Sequence, residues 1–219
     1  MSAFEPGDYR NGSVSDRLAD KRGGVQAVER VAVYADRYHL HRSSGRSTSL
    51  DVIRDAVEQI GRDCGQLPFV VVDYLQKVHV PGGPPLEEDR ITIAVEGLKD
   101  MALDLDIPIL AVAAADKTGI ASGRRMRAAH LRGSSALAYE ADALLILNNK
   151  FDVVARHHLV YDLGNAERFK SWAVLSIEKN RSGVDKVDME FRTRLDQSRF
   201  EQQGGMVGEQ LVDERLFVD

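Results

Sequence analysis

The sequence is poor in cysteine, in long apolar runs and in positive charge. Cys64 is the one cysteine in 219 residues, which excludes a disulfide framework and fits a reducing compartment. No apolar stretch approaches the roughly 20 residues that span a bilayer. The opening MSAFEPGDYRNG lacks the basic-then-apolar design of a secretory signal. A cytoplasmic protein with no membrane contact is therefore expected. The formal net charge is −5, so any nucleic-acid binding has to rest on a local basic patch. Also missing is a G-x-x-x-x-G-K-[ST] string: Gly82-Gly83 sits between prolines, and no Lys follows Gly204-Gly205. Without that loop there is no ready cradle of backbone N–H groups and Lys for a nucleotide's phosphates.

What is present is ordinary for a globular protein with a real core. Hydrophobic residues make up 43% and charged residues 29%. The length suits one large domain, or one domain with appendages. Residues 201–219 carry Glu201, Glu209, Asp213, Glu214 and Asp219 against Arg215 alone. The expected division is thus a domain over 1–200 and an acidic, flexible tail over 201–219.

The stretch Phe69–Gln76 reads FVVVDYLQ. A continuous apolar run, three of its residues β-branched, predicts a strand buried on both faces of a parallel sheet. Asp73 then falls at the sheet's carboxyl edge, where open α/β sheets bind ligands. A carboxylate there can hold Mg²⁺ beside nucleotide phosphates. A core strand ending on an ordinary solvated Asp fits the same pattern.

Helical spacing predicts helices over about 25–37, 49–62 and 87–105, the second opened by a capping box at Thr48 and Asp51. Their buried sides would carry Val25, Val28 and Val31, then Val52, Ala56, Val57 and Ile60, then Ile91, Val95, Leu98, Ala102 and Leu105. Ser13 or Ser15 is expected to cap a short first helix, and Ser43-Ser44-Gly45 to turn. Tyr38–His41 reads as a short strand. Residues 108–115 and 143–147 read as further buried strands, and strand–helix–strand from 69 to 115 as a parallel unit. A short helix is expected over 134–140 and a loop or irregular hairpin over 148–170. Two antiparallel strands are expected around Arg181-Ser182-Gly183, because Val187, Met189 and Phe191 alternate. His39 and His41, or His157 and His158, lack a convincing third ligand for zinc. Cys64 is expected to be a buried small residue.

The string DYLQ after an apolar strand resembles the RecA-like ATPase domain of DnaB-type replicative helicases. The stretch from His130 to Leu147 resembles that family's D-L-R-E-S-G-x-I-E-x-D-A-D followed by an apolar strand. Leu131, Arg132, Ser134, Ala141 and Asp142 match it, whereas His130, Gly133, Ser135 and Ala138 depart. Glu178–Gly183 resembles the family's K-x-R-x-G hairpin, and Ser198-Arg199-Phe200 its closing T/S-R-F. Where the family reads S-Q-L-N-R this chain has Ala113-Ala114-Ala115-Asp116-Lys117, so a phosphate-sensing Gln is replaced by Ala114.

The resemblance implies an α/β fold, a RecA-like P-loop NTPase core. It would have a mostly parallel sheet flanked by helices and a C-terminal antiparallel hairpin, with the first strand and P-loop missing. It implies ATP and Mg²⁺ as cofactors, with Asp73 as catalytic residue and metal ligand and Gln76 beside the cofactor. Lys179 and Arg181 would be catalytic residues acting on a neighbouring subunit's ATP, Arg181 as an arginine finger. Arg124, Arg125, Arg127 and Arg132 would bind single-stranded DNA; between Asp116 and Glu140 that basic stretch holds no acid. The implied activity is the ATP-dependent motor of a replicative DNA helicase, truncated or degenerate here, in a homo-hexamer or in a mixed ring with a full-length homologue. A non-catalytic RecA-like module that joins or modulates such a ring is a second reading. A RecA-like ATPase of the recombination or clock kind is a third. Met1-Ser2-Ala3 resembles the end of the family's S-L-E-M-S/P-x string, so Met1 is expected to be an internal methionine of a longer frame or the start of a gene fragment.

Overall fold

The computed structural model describes residues 18, 21–43, 47–116, 124–133, 135–161 and 163–214. The readings at Met1–Ala3, Ser13, Ser15, Ser44, Gly45, Lys117, Ser134, Arg215 and Asp219 lie outside them. The helices are α1 (Gly24–Ala32), α2 (Leu50–Cys64), α3 (Glu87–Asp104), α4 (Ala136–Glu140), α5 (Lys150–Val153), α6 (His157–Val160) and α7 (Leu163–Phe169). The strands are β1 (Val70–Val72), β2 (Ile109–Ala111), β3 (Ala143–Asn149), β4 (Trp172–Asn180), β5 (Val187–Arg194) and β6 (Arg199–Met206). The chain divides into two units: 43–190 with 205–219, and 1–42 with 191–204.

In the larger unit, three consecutive valines form β1, since β-branched side chains suit a pleated surface. It pairs in parallel with β2, Val70 opposite Ile109 and Val72 opposite Ala111. Helix α2 is capped by Ser49, whose Oγ accepts from Val52 N–H at 3.4 Å, rather than by Thr48. It ends at Gly65, whose φ of 72° is the left-handed conformation that closes helices. Cys64, expected inside, is exposed. Helix α3 opens with Glu87, Glu88 and Asp89, which favour its positive N-terminal dipole. Its buried stripe is Ile91, Ala94, Leu98 and Met101, rotated slightly from the predicted face. Leu75, Ile91, Leu98 and Leu137 make the central cluster, flanked by Leu50, Ile53, Val72 and Ile109.

The second sheet has the order β3-β4-β5-β6. β3 runs antiparallel to β4, from Ala143 opposite Asn180 to Asn149 opposite Ala173. Among the described residues the β1–β2 ladder is parallel and the β3–β4 ladder antiparallel, so the expected mostly parallel sheet is met only in part. β3 also alternates: Ile146 and Asn148 are buried while Leu145 and Leu147 are exposed. Phe69 and Val71, and Leu110 and Val112 across from them, are exposed as well. These strands thus bury one face, not two.

Residues 150–169 form the three short helices α5 to α7 where a loop or hairpin was expected. The first of these opens on Lys150, which is 2% exposed. Its ammonium binds Glu190 and, at 2.6 Å, Glu209, and lies 4.4 Å from the Phe169 ring centroid. Two carboxylates and an aromatic face thus compensate a buried charge. Glu209 belongs to the segment expected as a flexible tail. Within it, Gln210 O accepts from Ala155 N–H and Val212 N–H donates to Val153 O, each at 2.8 Å.

In the smaller unit, Glu201 lies within 3.7, 3.8 and 3.4 Å of Arg192, Arg194 and Arg199. Ser198, at φ 50°, makes the turn between β5 and β6. Residues 38–41, expected as a strand, have no regular structure.

Burial pushes the Glu209 carboxyl up, but Lys150, aided by a backbone N–H and Arg168, more than offsets this and holds it below the usual glutamate range. A lowered folded value means stability that is complete above the ordinary glutamate range and lost as pH falls through the lowered one. Lys150→Ala leaves two carboxylates without their cation and is expected to cost about 3–5 kcal/mol, read by urea denaturation at neutral pH. The melting-temperature gap between wild type and Glu209→Gln should be widest at neutral pH and close in acid.

Candidate functional site

Asp73 follows β1 directly and is exposed. Among the described residues its carboxylate has no hydrogen-bond or ion-pair partner, so it is open to an outside cation. Beyond Asp73 the chain turns through Leu75–Lys77, a 3-10 segment that buries Leu75 in the core. Gln76 is thereby aimed at the end of β2. Its Oε1 accepts from Ala114 N–H at 3.1 Å, and its Nε2 donates to Arg132 O at 2.8 Å and Ala114 O at 3.5 Å. The residue read as a cofactor contact is occupied by backbone.

The clasp fixes a short antiparallel pairing beyond the carboxyl end of β2. Ala115 bridges Leu131. Arg132 N–H donates to Ala114 O and Asp116 N–H to His130 O, each at 2.8 Å. Gly133 completes the turn at φ 120°, and a Cβ there would lie 2.4 Å from Ile91 Cδ1. The loop backbone rests directly on the core at that point, so the Glu of the resembled pattern has no room here.

Asp73 suits a hard cation such as Mg²⁺, which takes one or two carboxylates and completes its shell with phosphate oxygens and water. Among the described residues no three His, Cys, Asp or Glu are grouped for a metal. The phosphates themselves do not fit as well, because neither the sequence nor the described backbone offers a glycine-rich loop leading into a helix with Lys.

Lys179 and Arg181 lie at the end of β4, beside the last turn of α4. Lys179 Nζ donates to Ala138 O and Tyr139 O at 2.8 Å each. Arg181 Nη2 donates to Tyr139 O at 3.1 Å, and its Nη1 lies 3.4 Å from Asp142 Oδ1. The last carbonyls of a helix have no partner within it, so these cations serve as its C-terminal cap. Lys99, 2.6 Å from Asp142, holds that carboxyl below the usual aspartate range, helped by Arg181 and Lys179. Arg181 is half exposed and can leave an exposed pair at small cost. Lys179, with two carbonyls, is held more firmly.

All four arginines of the basic stretch have acidic partners, which the sequence reading missed. Arg132 pairs with Glu87 at 2.8 Å. Arg124 pairs with Glu214 at 3.2 Å. Arg127 meets Asp213 at 2.6 Å and Glu178 at 3.3 Å. Arg125 is 5% exposed and binds Asp188 and, at 2.9 Å, Ser176 Oγ. Among the described residues its buried Nε has no hydrogen-bond partner. A guanidinium this deep is placed to tie the stretch to β4 and β5, a structural part that the DNA-binding expectation for Arg125 did not include. The partners come from α3, β4, β5 and the 213–214 segment; for the last of these the surplus of acid after residue 200 was the available signal. His158, by contrast, accepts from Gln210 N–H at 3.0 Å, a packing role.

The family described as DnaB-like helicase C terminal domain matches residues 11–202. The replicative DNA helicase DnaB of Pasteurella multocida (strain Pm70) is 24% identical over 173 residues, 78% of this chain and 34% of that protein. This chain therefore spans about a third of that relative's length. Among solved structures, one ATPase domain superposes with a TM-score of 0.57 at 22% identity, over 70% of this chain and 51% of that one. A DnaB-like replicative helicase, studied with its primase interactions, gives 0.52 at 22% identity, over 68% and 35%. At these identities the structures establish the RecA-like helicase ATPase fold.

Arg125→Ala strands Asp188 against a buried surface and is expected to destabilise the protein by about 3–5 kcal/mol. Arg124→Ala, at an exposed pair, should stay within about 1 kcal/mol of wild type. Paired denaturation curves check both; equal losses would contradict the assignment of Arg125 as structural.

Proposed function

This chain belongs to the DnaB-like helicase C-terminal domain family, and from that premise we propose that it serves as part of a helicase motor on single-stranded DNA. Such a motor works with ATP and Mg²⁺ in a hexameric ring, either of this chain or mixed with a homologue that carries the phosphate loop. The observation that carries the reading is the Gln76 clasp. It joins the edge that presents Asp73 to the loop that presents Arg132, so one amide links the cation end of the site to its basic end.

In this reading Asp73 ligates the cation. Mg²⁺, when bound, neutralises phosphate charge. Arg132, Arg127 and Arg124 contact DNA phosphates, which position a strand without reading its sequence. Arg181 swings from Tyr139 and Asp142 to a neighbour's phosphates, where a guanidinium stabilises developing charge. Lys179 keeps α4 in place for that movement. The phosphate ligands come from outside these 219 residues. The non-catalytic module remains the second reading, favoured by the lack of a phosphate loop and by the apolar Ala114 at the sensing position.

Binding to fluorescent oligo-dT should weaken for Arg127→Ala and Arg132→Ala, each lowering the slope of log affinity against log salt by about 0.7. Unchanged affinity and slope in both variants would overturn the DNA reading. Mg-ATP titrated into the isolated chain should show no micromolar site; finding one would refute an external phosphate cradle. In mixed rings with a loop-bearing homologue, Arg181→Ala should depress hydrolysis. Equal rates in rings shown to form would leave the non-catalytic reading ahead.

A further inference from the structure

Residues 209–214 cross the larger unit as a strap with two unlike halves. The first half is anchored deep. Glu209 binds buried Lys150, Gln210 O accepts from Ala155 N–H, and Val212 N–H donates to Val153 O. Leu211 forms an antiparallel bridge with Val154. The second half ends in Asp213 and Glu214 and lies along residues 124–127. Arg124 bridges Glu214, and Arg125 N–H donates to Asp213 O at 2.8 Å. Asp213 Oδ1 accepts from Arg127 Nε at 2.8 Å and Nη2 at 2.6 Å, and Glu214 from Arg124 Nη2 at 3.2 Å.

The geometry points to an autoinhibitory contact: the carboxylates of Asp213 and Glu214 occupy Arg124 and Arg127 in place of nucleic-acid phosphates, and DNA binds there only by displacing the tip of the strap. This rests on the DNA-binding reading given above. Three observations support it. The tip is purely acidic and sits on guanidiniums, with Asp213 accepting from two nitrogens of Arg127 as a phosphate oxygen does. The contacts are exposed, with side-chain exposures of 32% and 38% for Arg124 and Arg127 and 56% and 70% for their partners, so they are weak and screened by salt. The anchor half is tied to buried Lys150, Val153, Val154 and Ala155, so the tip carboxylates can be displaced while the strap stays attached. Arg127 keeps Glu178 as its second partner at 3.3 Å, so release leaves it oriented rather than loose.

The test uses the full chain and fluorescent oligo-dT over a salt series. Asp213→Asn with Glu214→Gln should bind roughly three- to tenfold tighter than wild type at low salt, and its salt slope should steepen by about 0.7 per freed arginine. The gain should vanish when Arg124→Ala and Arg127→Ala are added. Glu58→Gln with Asp63→Asn on α2 removes the same two charges elsewhere and should give no comparable gain. Equal binding by wild type and the strap variant would overturn the strap and leave the DNA reading standing. A gain equal to that of the α2 control, or one that survives loss of both arginines, would overturn the strap as a mere effect of net charge. Binding by neither protein would overturn both. Melting curves accompany each variant, and the double neutralisation should melt as wild type does because Glu209 and the backbone anchors are untouched.

Discussion

One amide organises the candidate site. Gln76 can turn to the end of β2 because Leu75, its neighbour, is fixed in the core beside Ile91, Leu98 and Leu137. Its side chain presents a donor and an acceptor, and the Ala114 backbone presents the complementary pair. The spare donor capacity reaches Arg132 O. An amide is well suited to this task, since a carboxylate could not donate to the two carbonyls and an ammonium could not accept from the N–H. The pairing of 114–116 with 130–132 follows, and with it the positions of Gly133 on Ile91 and Arg132 at the surface. Displacement at the carboxyl edge of β1 would therefore move the loop through a short, hydrogen-bonded linkage.

The second constraint is charge compensation within the chain. The basic stretch looks unopposed along the sequence, since no acid falls between Asp116 and Glu140. In three dimensions each described arginine of that stretch faces a carboxylate from a distant segment. Burial sorts them by what they can do. Arg125 is enclosed and its loss exposes a charge to desolvation; it holds β4 and β5 to the stretch. Arg124, Arg127 and Arg132 have wet partners, and a polyanion that brings several phosphates at once competes well against isolated surface pairs.

Much of the fold was legible in local pattern. Helices α2 and α3, the strands about Val70–Val72 and Ile109–Ala111, and the β4–β5 hairpin carry clear periodicity or β-branched runs. What was not legible depended on partners far along the chain. β3 is as apolar as β1, and its sequence does not reveal that its neighbour β4 is antiparallel and that Leu145 and Leu147 are left outside. The helices α5 to α7 are only four to seven residues long, too short for a helical period to register. The first of them opens on the buried Lys150, a residue type that composition places at the surface. In the site, Asp73 at the strand's end followed from the apolar run before it. The backbone role of Gln76 and the burial of Arg125 did not, because each is decided by a group 38 or more positions away.

The same reasoning bears on residues 209–214, part of the stretch 201–219 that reads as an acidic tail. Their acids suggested solvation, and a charged run usually is a solvated face. Here the acids are spaced so that Glu209 points to a buried ammonium and Asp213 and Glu214 to exposed guanidiniums. The first contact is costly to break, because separating it leaves charge in a desolvated place. The second is cheap, because water can replace either partner. A segment built this way is fixed at one end and exchangeable at the other. That difference lets a short acidic stretch belong to the fold and still compete for the arginines that the motor's reading assigns to DNA.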